Sequence, residues 1–335
     1  MRLPHPFLSN PGFSFIAASD LWRALEGNCE QEELVIATQL LENGLPPITS
    51  RVALSVVLGI NSGLVWSFEK KTSKHYREFP IKKGSHIRLI QAPRVALKLV
   101  QKWLSIVLAS KIKPPPHVYG FVPGRSHIEA ALQHVGSEWI FNVDIRNFFQ
   151  TTPQAMVQKV FADLGYPSNG ARLISSLTCL NGYLAQGAPS SPILSNMCFA
   201  DIDNQLLALA KHHGCRMTRY ADDVVFSGFG ELPQNLSDEV IAIFNPSPWK
   251  LAPEKTKTQV LPHRLKVHGL LVNGQRARLT KGYRNKLRAF AHVISKKADL
   301  SDADRVRLKG HLSYMHHVEK LTGASSEQDE PPSTQ

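Results

Sequence analysis

The chain has 335 residues, 43% of them apolar and 20% charged, and its 39 Lys+Arg against 27 Asp+Glu leave a net charge of +12. That apolar content excludes a disordered polymer, and a pI near 9.6 points to a polyanionic partner, either nucleic acid or an anionic surface. No apolar run approaches the roughly 20 residues of a bilayer span, and the Pro-broken start carries no apolar signal region. The four cysteines lack CxxC spacing, which excludes a dense disulfide framework, so the expectation is a reduced, cytoplasmic protein with no membrane partner.

In chain order, helices are expected over about 18–60. Residues 77–113 then hold nine Lys/Arg and one acid, Glu78. Phe79 and Ile81 on one side of a KKGS turn, with Ile87, Leu89 and Ile90 on the other, predict a basic hairpin. After Pro93 the period changes: Leu97, Val100, Leu104 and Val107 predict an amphipathic helix. The hairpin is either a solvated surface or a ribbon laying Lys82, Lys83 and Arg88 across a triphosphate or phosphate backbone.

A short helix at about 126–134 leads into WIFNVDIRNFFQ, a strand carrying Asp144 between apolar neighbours. Burying an unpaired carboxylate is costly. Asp144 therefore either caps the next helix or meets other carboxylates around a divalent ion. A helix over 154–164 follows. In LAQGAPSSPILSN, Gly187, Pro189 and Pro192 break regular structure, and Ser190 or Ser191 is expected to cap one long helix to about His213, closed by Gly214. Gln186 and the small residues beside it would face whatever sits over the carboxylates. RYADDVVF, residues 219–226, sets Asp222 and Asp223 between two β-prone runs. The pair is either an Asp-rich turn or, with Asp144, the ligand set of two Mg²⁺ ions about 4 Å apart. Beyond Thr280, Tyr283, Leu287, Phe290 and Ile294 mark one helix, and Leu308, Leu312 and Met315 a second starting at a Ser301 cap.

As an ordered set these blocks resemble the reverse transcriptases, and among them the bacterial retron type. FNVDIRNFF resembles the family's first catalytic strand, QGAPSSPILSN its template- and nucleotide-positioning turn, RYADDVVFSG its YADD hairpin and LAPEKTKT its lysine-containing segment. The resemblance covers roughly residues 70–315. It implies an α+β right-hand polymerase with fingers, a palm built on an antiparallel sheet and a helical thumb. The expected division is 1–60 as an N-terminal helical region, 61–265 as fingers and palm, 266–322 as thumb, and 323–335 as a disordered tail.

The resemblance further implies Asp144, Asp222 and Asp223 as catalytic metal ligands and Lys82, Arg88, Phe149, Gln186 and Lys255 as nucleotide-binding residues. Phe149 takes the place of the aromatic that packs on the nucleotide sugar. GRSHIEAALQHVG supplies the Ala-x-x-His of retron enzymes, with Ala130 where they carry Asn. VHGLLVNG supplies their Val-x-Gly, with His268 in place of Thr. His134, Val267, His268 and Gly269 are thus the expected RNA contacts. The implied partners are dNTPs, a structured non-coding RNA serving as template and primer, the RNA–DNA duplex and an effector protein. The implied product is a branched RNA–DNA (msDNA) used in phage defence. Group II intron-like and diversity-generating enzymes remain alternatives, as does a catalytically silent RNA-binding scaffold.

Overall fold

The protein is described by a computed structural model over residues 8–84, 86–296 and 301–323. The expected disordered tail falls, from residue 324 on, outside the described residues. Four helices, Ala18–Leu25, Gln31–Glu42, Arg51–Leu58 and Ser62–Lys70, precede the hairpin of β1 (Tyr76–Lys83) and β2 (His86–Pro93). Helix Val95–Lys111 buries Leu97, Val100, Leu104 and Val107, the stripe its sequence period predicts. A reciprocal capping box between Ser126 and Glu129 opens helix His127–Leu132, which leads to β3 (Trp139–Asp144). Helices Gln154–Asp163 and Ser168–Thr178 and a small ladder, β4 (Cys179–Leu180) with β5 (Tyr183–Leu184), follow.

The single helix expected from Ser190 to about His213 is two, Ser191–Cys198 and Ala200–His212, hinged at Phe199. Phe199, at φ −87 and ψ −1, is the single residue between them, and it is fully buried, its ring 5.4 Å from Phe148 and 4.8 Å from Trp249. Neither serine caps the first helix: Ser191 donates to the Ala185 carbonyl at 2.7 Å, and the Ser190 hydroxyl has no partner among the described residues. Gly214 does close the second helix, at φ +61.

β6 (Arg216–Tyr220), β7 (Asp223–Gly228) and, after helix Leu236–Phe244, β8 (Lys257–Val260) join β3 in one antiparallel sheet of order β6-β7-β3-β8. A three-stranded patch of β9 (Lys266–Val267), β10 (Leu270–Leu271) and β11 (Arg278–Leu279) leads into helices Lys281–Lys296 and Asp302–Thr322, the latter capped by Ser301 as predicted.

The two faces of the four-stranded sheet enter different cores, because side chains alternate along a strand. Phe141, Val143, Met217, Val224 and Phe226 enter the main core. Ile140 and Val225 join a second cluster with Val267, Leu270, Leu287 and Val318 from the C-terminal elements. This explains why β3 is apolar on both faces around its one carboxylate.

Arg219 lies on the main-core face and is fully buried. Its guanidinium donates to both carboxylate oxygens of Asp203, at 2.7 and 2.6 Å, to Asn196 Oδ1 at 3.1 Å and to the Ala221 carbonyl at 3.0 Å. It also lies 4.8 Å over the Phe199 ring. Removing one partner of such a pair leaves an uncompensated buried charge. Asp203→Asn should therefore cost about 3–5 kcal/mol of stability, read as a fall in the urea midpoint. An unchanged midpoint would mean that Arg219 finds water or another anion when Asp203 is neutral.

Candidate active site

Three carboxylates meet at one rim of the sheet because of strand register. Asp144, the last residue of β3, is the direct cross-strand partner of Asp223, the first residue of β7. Tyr220 also pairs with Asp223, so Ala221 and Asp222 alone form the loop between β6 and β7. The Ile145 amide donates to the Asp222 carbonyl at 2.8 Å, which ties this loop to the end of β3. Ala221 is held at φ +59, a conformation rare for a residue with a Cβ and typical of functional turns. Gly120 allows the neighbouring segment to lie against it, since a Cβ there would fall 2.0 Å from the Ala221 nitrogen. Tyr119 and Arg219 lock that segment to β6 by the bonds Tyr119 N–H to Arg219 O, 2.8 Å, and Arg219 N–H to His117 O, 2.9 Å.

The electrostatics are those of anions crowded together. Burial, then the charges of Asp222 and Asp144, push the Asp223 carboxyl up to about 6, with the Asn142 amide acting in the opposite sense. Burial also raises Asp144, opposed by a hydrogen bond from Lys255, whose Nζ sits 2.7 Å from Asp144 Oδ1. Asp144 caps no helix, since the next one begins at Gln154 after Pro153. As they stand, no three His, Cys, Asp or Glu side chains among the described residues converge tightly enough to grip an ion. The donor set nevertheless fits hard divalent cations: all the donors are carboxylate oxygens, their mutual repulsion is what an ion would relieve, and a lysine ammonium already occupies one of them.

The other predicted residues fall into three groups. Phe149 is half-buried near the carboxylate rim, its ring 5.6 Å from Phe121 and 5.8 Å from Phe148. Gln186 accepts from Gln150 Nε2 at 2.9 Å, and its carbonyl accepts from the Gln91 amide at 2.8 Å, which docks the β1–β2 hairpin on the turn before helix Ser191–Cys198. Arg88 shares a ribbon face with Ile90, whose side chain abuts Gly187 in that turn.

Lys82 takes the other face of the ribbon. The register pairs Ile81 with Arg88 and Lys82 with Ile87, so Lys82 and Arg88 project from opposite faces and cannot grip one phosphate group from the same side.

Of the four expected RNA contacts, three have their side chains inside the fold. His134 is fully buried, its Nδ1 2.7 Å from Ser227 Oγ and its Nε2 2.7 Å from Thr218 Oγ1, on the polar side of the sheet. Val267 is buried in the second cluster. His268 and Gly269, at φ +47 and +93, form the two-residue turn between β9 and β10, and both φ values suit a tight hairpin. That turn points the His268 ring inward, 5.3 Å from the Tyr220 ring, with Nδ1 3.8 Å from Asp223 Oδ2. Only Gly269 of the four is exposed.

The residues that sequence reasoning missed are those that hold the rim: Asp203, Asn196, Gly120 and Asn142. An Arg alternating in phase with buried Met217 was the one available signal that an acid had to lie opposite it.

The model for the family described as "Reverse transcriptase (RNA-dependent DNA polymerase)" matches residues 81–280. The chain is 30% identical over 301 residues to the Retron Mx65 reverse transcriptase of Myxococcus xanthus, covering 83% of this chain and 70% of that one. It is 28% identical over 249 residues to the Retron Ec86 reverse transcriptase of Escherichia coli, covering 73% of this chain and 77% of that one. Among solved structures, the telomerase of Candida albicans with a telomeric RNA fragment superposes at TM-score 0.42 and 10% identity, over 80% of this chain and 61% of that one. A foamy viral protease–reverse transcriptase superposes at 0.39 and 12% identity, over 90% of this chain and 60% of that one.

His134 makes a pH-dependent contribution that an exposed, RNA-facing histidine would not. Burial first, then the neighbouring His268 and Arg216, lower its pKa from 6.5 to about 3. Above pH 6.5 the imidazole is neutral in both folded and unfolded chains. Below it, only the unfolded chain takes up the proton, so stability is lost as pH falls from 6.5 toward 3, by up to about 1.4 kcal/mol per pH unit from this residue. His134→Gln should flatten the fall in urea midpoint between pH 7 and 5 by up to one proton's worth. An unchanged slope would mean that the imidazole is protonated inside the fold.

Proposed function

Since the chain belongs to the reverse transcriptase family of RNA-directed DNA polymerases, in its retron branch, we propose that Asp144, Asp222 and Asp223 hold two Mg²⁺ ions for DNA synthesis on a structured non-coding RNA. The observation that supports this most is the β3–β7 register, which sets Asp144 opposite Asp223 and leaves Asp222 in the adjoining loop. Two ions bound there would stabilise the attacking and leaving oxygens of an in-line displacement at the α-phosphate of a dNTP.

The chain's own groups have separate tasks. The three carboxylates supply hard oxygen ligands on a rim whose shape is fixed by backbone pairing. Lys255, hydrogen-bonded to Asp144, places a cation where the triphosphate's charge arrives. Arg88 presents a guanidinium from the hairpin face that packs on the Gln186–Gly187 turn, suited to bidentate phosphate contact. Gln186, braced by Gln150, is assigned to contact the incoming nucleotide or the template base opposite it. Phe149 sets the room available to the nucleotide sugar.

Duplex affinity in this reading comes from the Lys/Arg surface of helix Lys281–Lys296 and is electrostatic. Choice of RNA rests on the exposed Gly269 end of the β9–β10 turn rather than on His134 or Val267. The retron relatives fit a non-coding RNA template; priming from an internal 2′-hydroxyl, a branched RNA–DNA product and an effector protein acting in phage defence are further parts of the proposal.

Two experiments test the site. Asp144→Asn or Asp222→Asn should reduce primer extension by at least about 10³-fold, since the loss of a ligand charge removes transition-state charge stabilisation. RNA binding in a filter assay should change by less than about threefold. Wild-type extension by either variant would overturn the metal assignment. Phe149→Ala should raise ribonucleotide incorporation relative to deoxyribonucleotide incorporation by about 10–100-fold, the range in which steric discrimination operates. If the soluble, active variant is as selective as the wild type, Phe149 is core and the sugar is read elsewhere.

A further inference from the structure

His127 sits between two tyrosines that belong to different parts of the molecule. Its ring stacks on Tyr314, in helix Asp302–Thr322, at 5.7 Å and 17° between planes, and its Nε2 lies 3.0 Å from the Tyr314 hydroxyl. On its other side it meets Tyr220, the last residue of β6, edge-on at 6.0 Å and 80°. Tyr220 in turn lies 5.3 Å from His268, which approaches Asp223. Beyond Tyr314 the row continues to Tyr283 of helix Lys281–Lys296, at 6.0 Å, and Tyr283 is hydrogen-bonded to His311 at 2.9 Å. A continuous aromatic row thus runs from both C-terminal helices to a catalytic carboxylate.

Two features separate this row from ordinary packing. His127 is the first residue of a helix whose start is fixed by the Ser126–Glu129 capping box, so its backbone does not follow the C-terminal helices if they move. The stack and the hydrogen bond also act on one partner, Tyr314, at once, which makes the contact directional: a rotation of helix Asp302–Thr322 breaks both together. The apolar anchors of that helix, Leu308 and Val318, tolerate small sliding in a way that a paired ring and hydroxyl do not.

We propose that His127 is a positioning residue that ties the two C-terminal helices to the catalytic hairpin through Tyr314, so that the seating of helix Lys281–Lys296 on a bound duplex is transmitted by Tyr283 and Tyr314 to Tyr220 and Asp223. The inference rests on the polymerase reading above. It makes His127 the point at which the grip on the product and the geometry of the metal ligands are coupled. It also gives His268, turned away from solvent, a task as the last link rather than as an RNA contact.

The test separates coupling from fold support and from the polymerase reading itself. The variants are His127→Gln, Tyr314→Phe, Tyr314→Leu and the double His127→Gln/Tyr314→Leu, in the full chain. Without nucleic acid, hydrogen exchange of a peptide covering residues 219–226 should speed up in Tyr314→Leu, although residue 314 is remote from that peptide in sequence. The same substitution should add nothing in the His127→Gln background, because a broken link cannot be broken twice. Thermal midpoints should stay close to wild type.

On an annealed RNA–DNA primer–template with a heparin trap, His127→Gln and Tyr314→Leu should each raise the release rate by about tenfold. Turnover on saturated enzyme should fall by no more than about threefold, with Tyr314→Phe intermediate. Unchanged exchange at 219–226, additive effects in the double variant, or equal losses in release and turnover would each overturn the coupling. A wild type that extends no primer, with the exchange pattern as expected, would overturn the polymerase reading and leave the coupling standing.

Discussion

A charged guanidinium at the centre of the fold sets the terms for everything around it. Arg219 has no exposure, so the interior must supply a carboxylate, further acceptors and a polarisable wall, and each comes from a different element. Asp203 comes from helix Ala200–His212, Asn196 from helix Ser191–Cys198, the Ala221 carbonyl from the loop between β6 and β7 and the aromatic wall from Phe148 and Phe199. Asn196 in turn donates to Gly120 at 3.0 Å, which holds the segment lying against Ala221. Buried ion pairs are weak arguments for stability, since an apolar replacement often does as well. This one carries its meaning in geometry: a hydrophobic side chain at 219 could fill the space but could not hold the carbonyl of a strained loop.

From that anchor the site follows by counting along strands. Arg219 points into the main core, so Tyr220 points to the opposite side, and the register places Asp223 beside it and Asp144 across from it. On that polar side His134 closes the sheet through Thr218 and Ser227, while Asn142 and Asp144 follow Ile140 on β3. A shift of one residue in register would send the carboxylates into the apolar core and Arg219 out of it, a double penalty that pins the pairing. The residues that define the rim and the residues that bury the sheet are therefore alternate members of the same three strands.

The sequence made the strands, the hairpins and the three carboxylates legible because each has a local signature: alternation, a turn with Gly or Asp, and acids set among apolar neighbours. It also carried the amphipathic helices and the Ser301 cap. The break at Phe199 was not legible, since nothing in SNMCFADID breaks a helix, and the rings that pack on Phe199 come from residues far along the chain. The burial of the histidines was not legible for a related reason. A histidine in a short polar segment looks the same in sequence whether it faces solvent or a pair of hydroxyls, and only tertiary contact distinguishes His134 on Thr218 and Ser227 from a surface ring. The face that Lys82 takes was not legible either, since hairpin register, not composition, decides it.

The rim itself is frustrated in a way that suits a site for cations. Asp223 is raised to about 6 by burial and by its two neighbours. Ala221 holds a left-handed φ, and Asn142 Oδ1 and His268 Nε2 are buried without a hydrogen-bond partner among the described residues. Each of these is unfavourable alone, and all four lie on β3, β7, the loop between β6 and β7 or the β9–β10 turn. The surrounding structure over-determines them: Arg219 holds the loop, the Asp144–Asp223 pairing fixes the carboxylates, and the second apolar cluster fixes the turn that carries His268. A fold that relaxed this strain by separating the acids would be more stable without ligands and would have lost the neighbouring carboxylates from which a hard cation's oxygen ligands could be drawn. Lys255 offers a partial remedy, a half-exposed ammonium on Asp144 that lowers the repulsion and, being held by one hydrogen bond at the surface, can be displaced by a stronger cation.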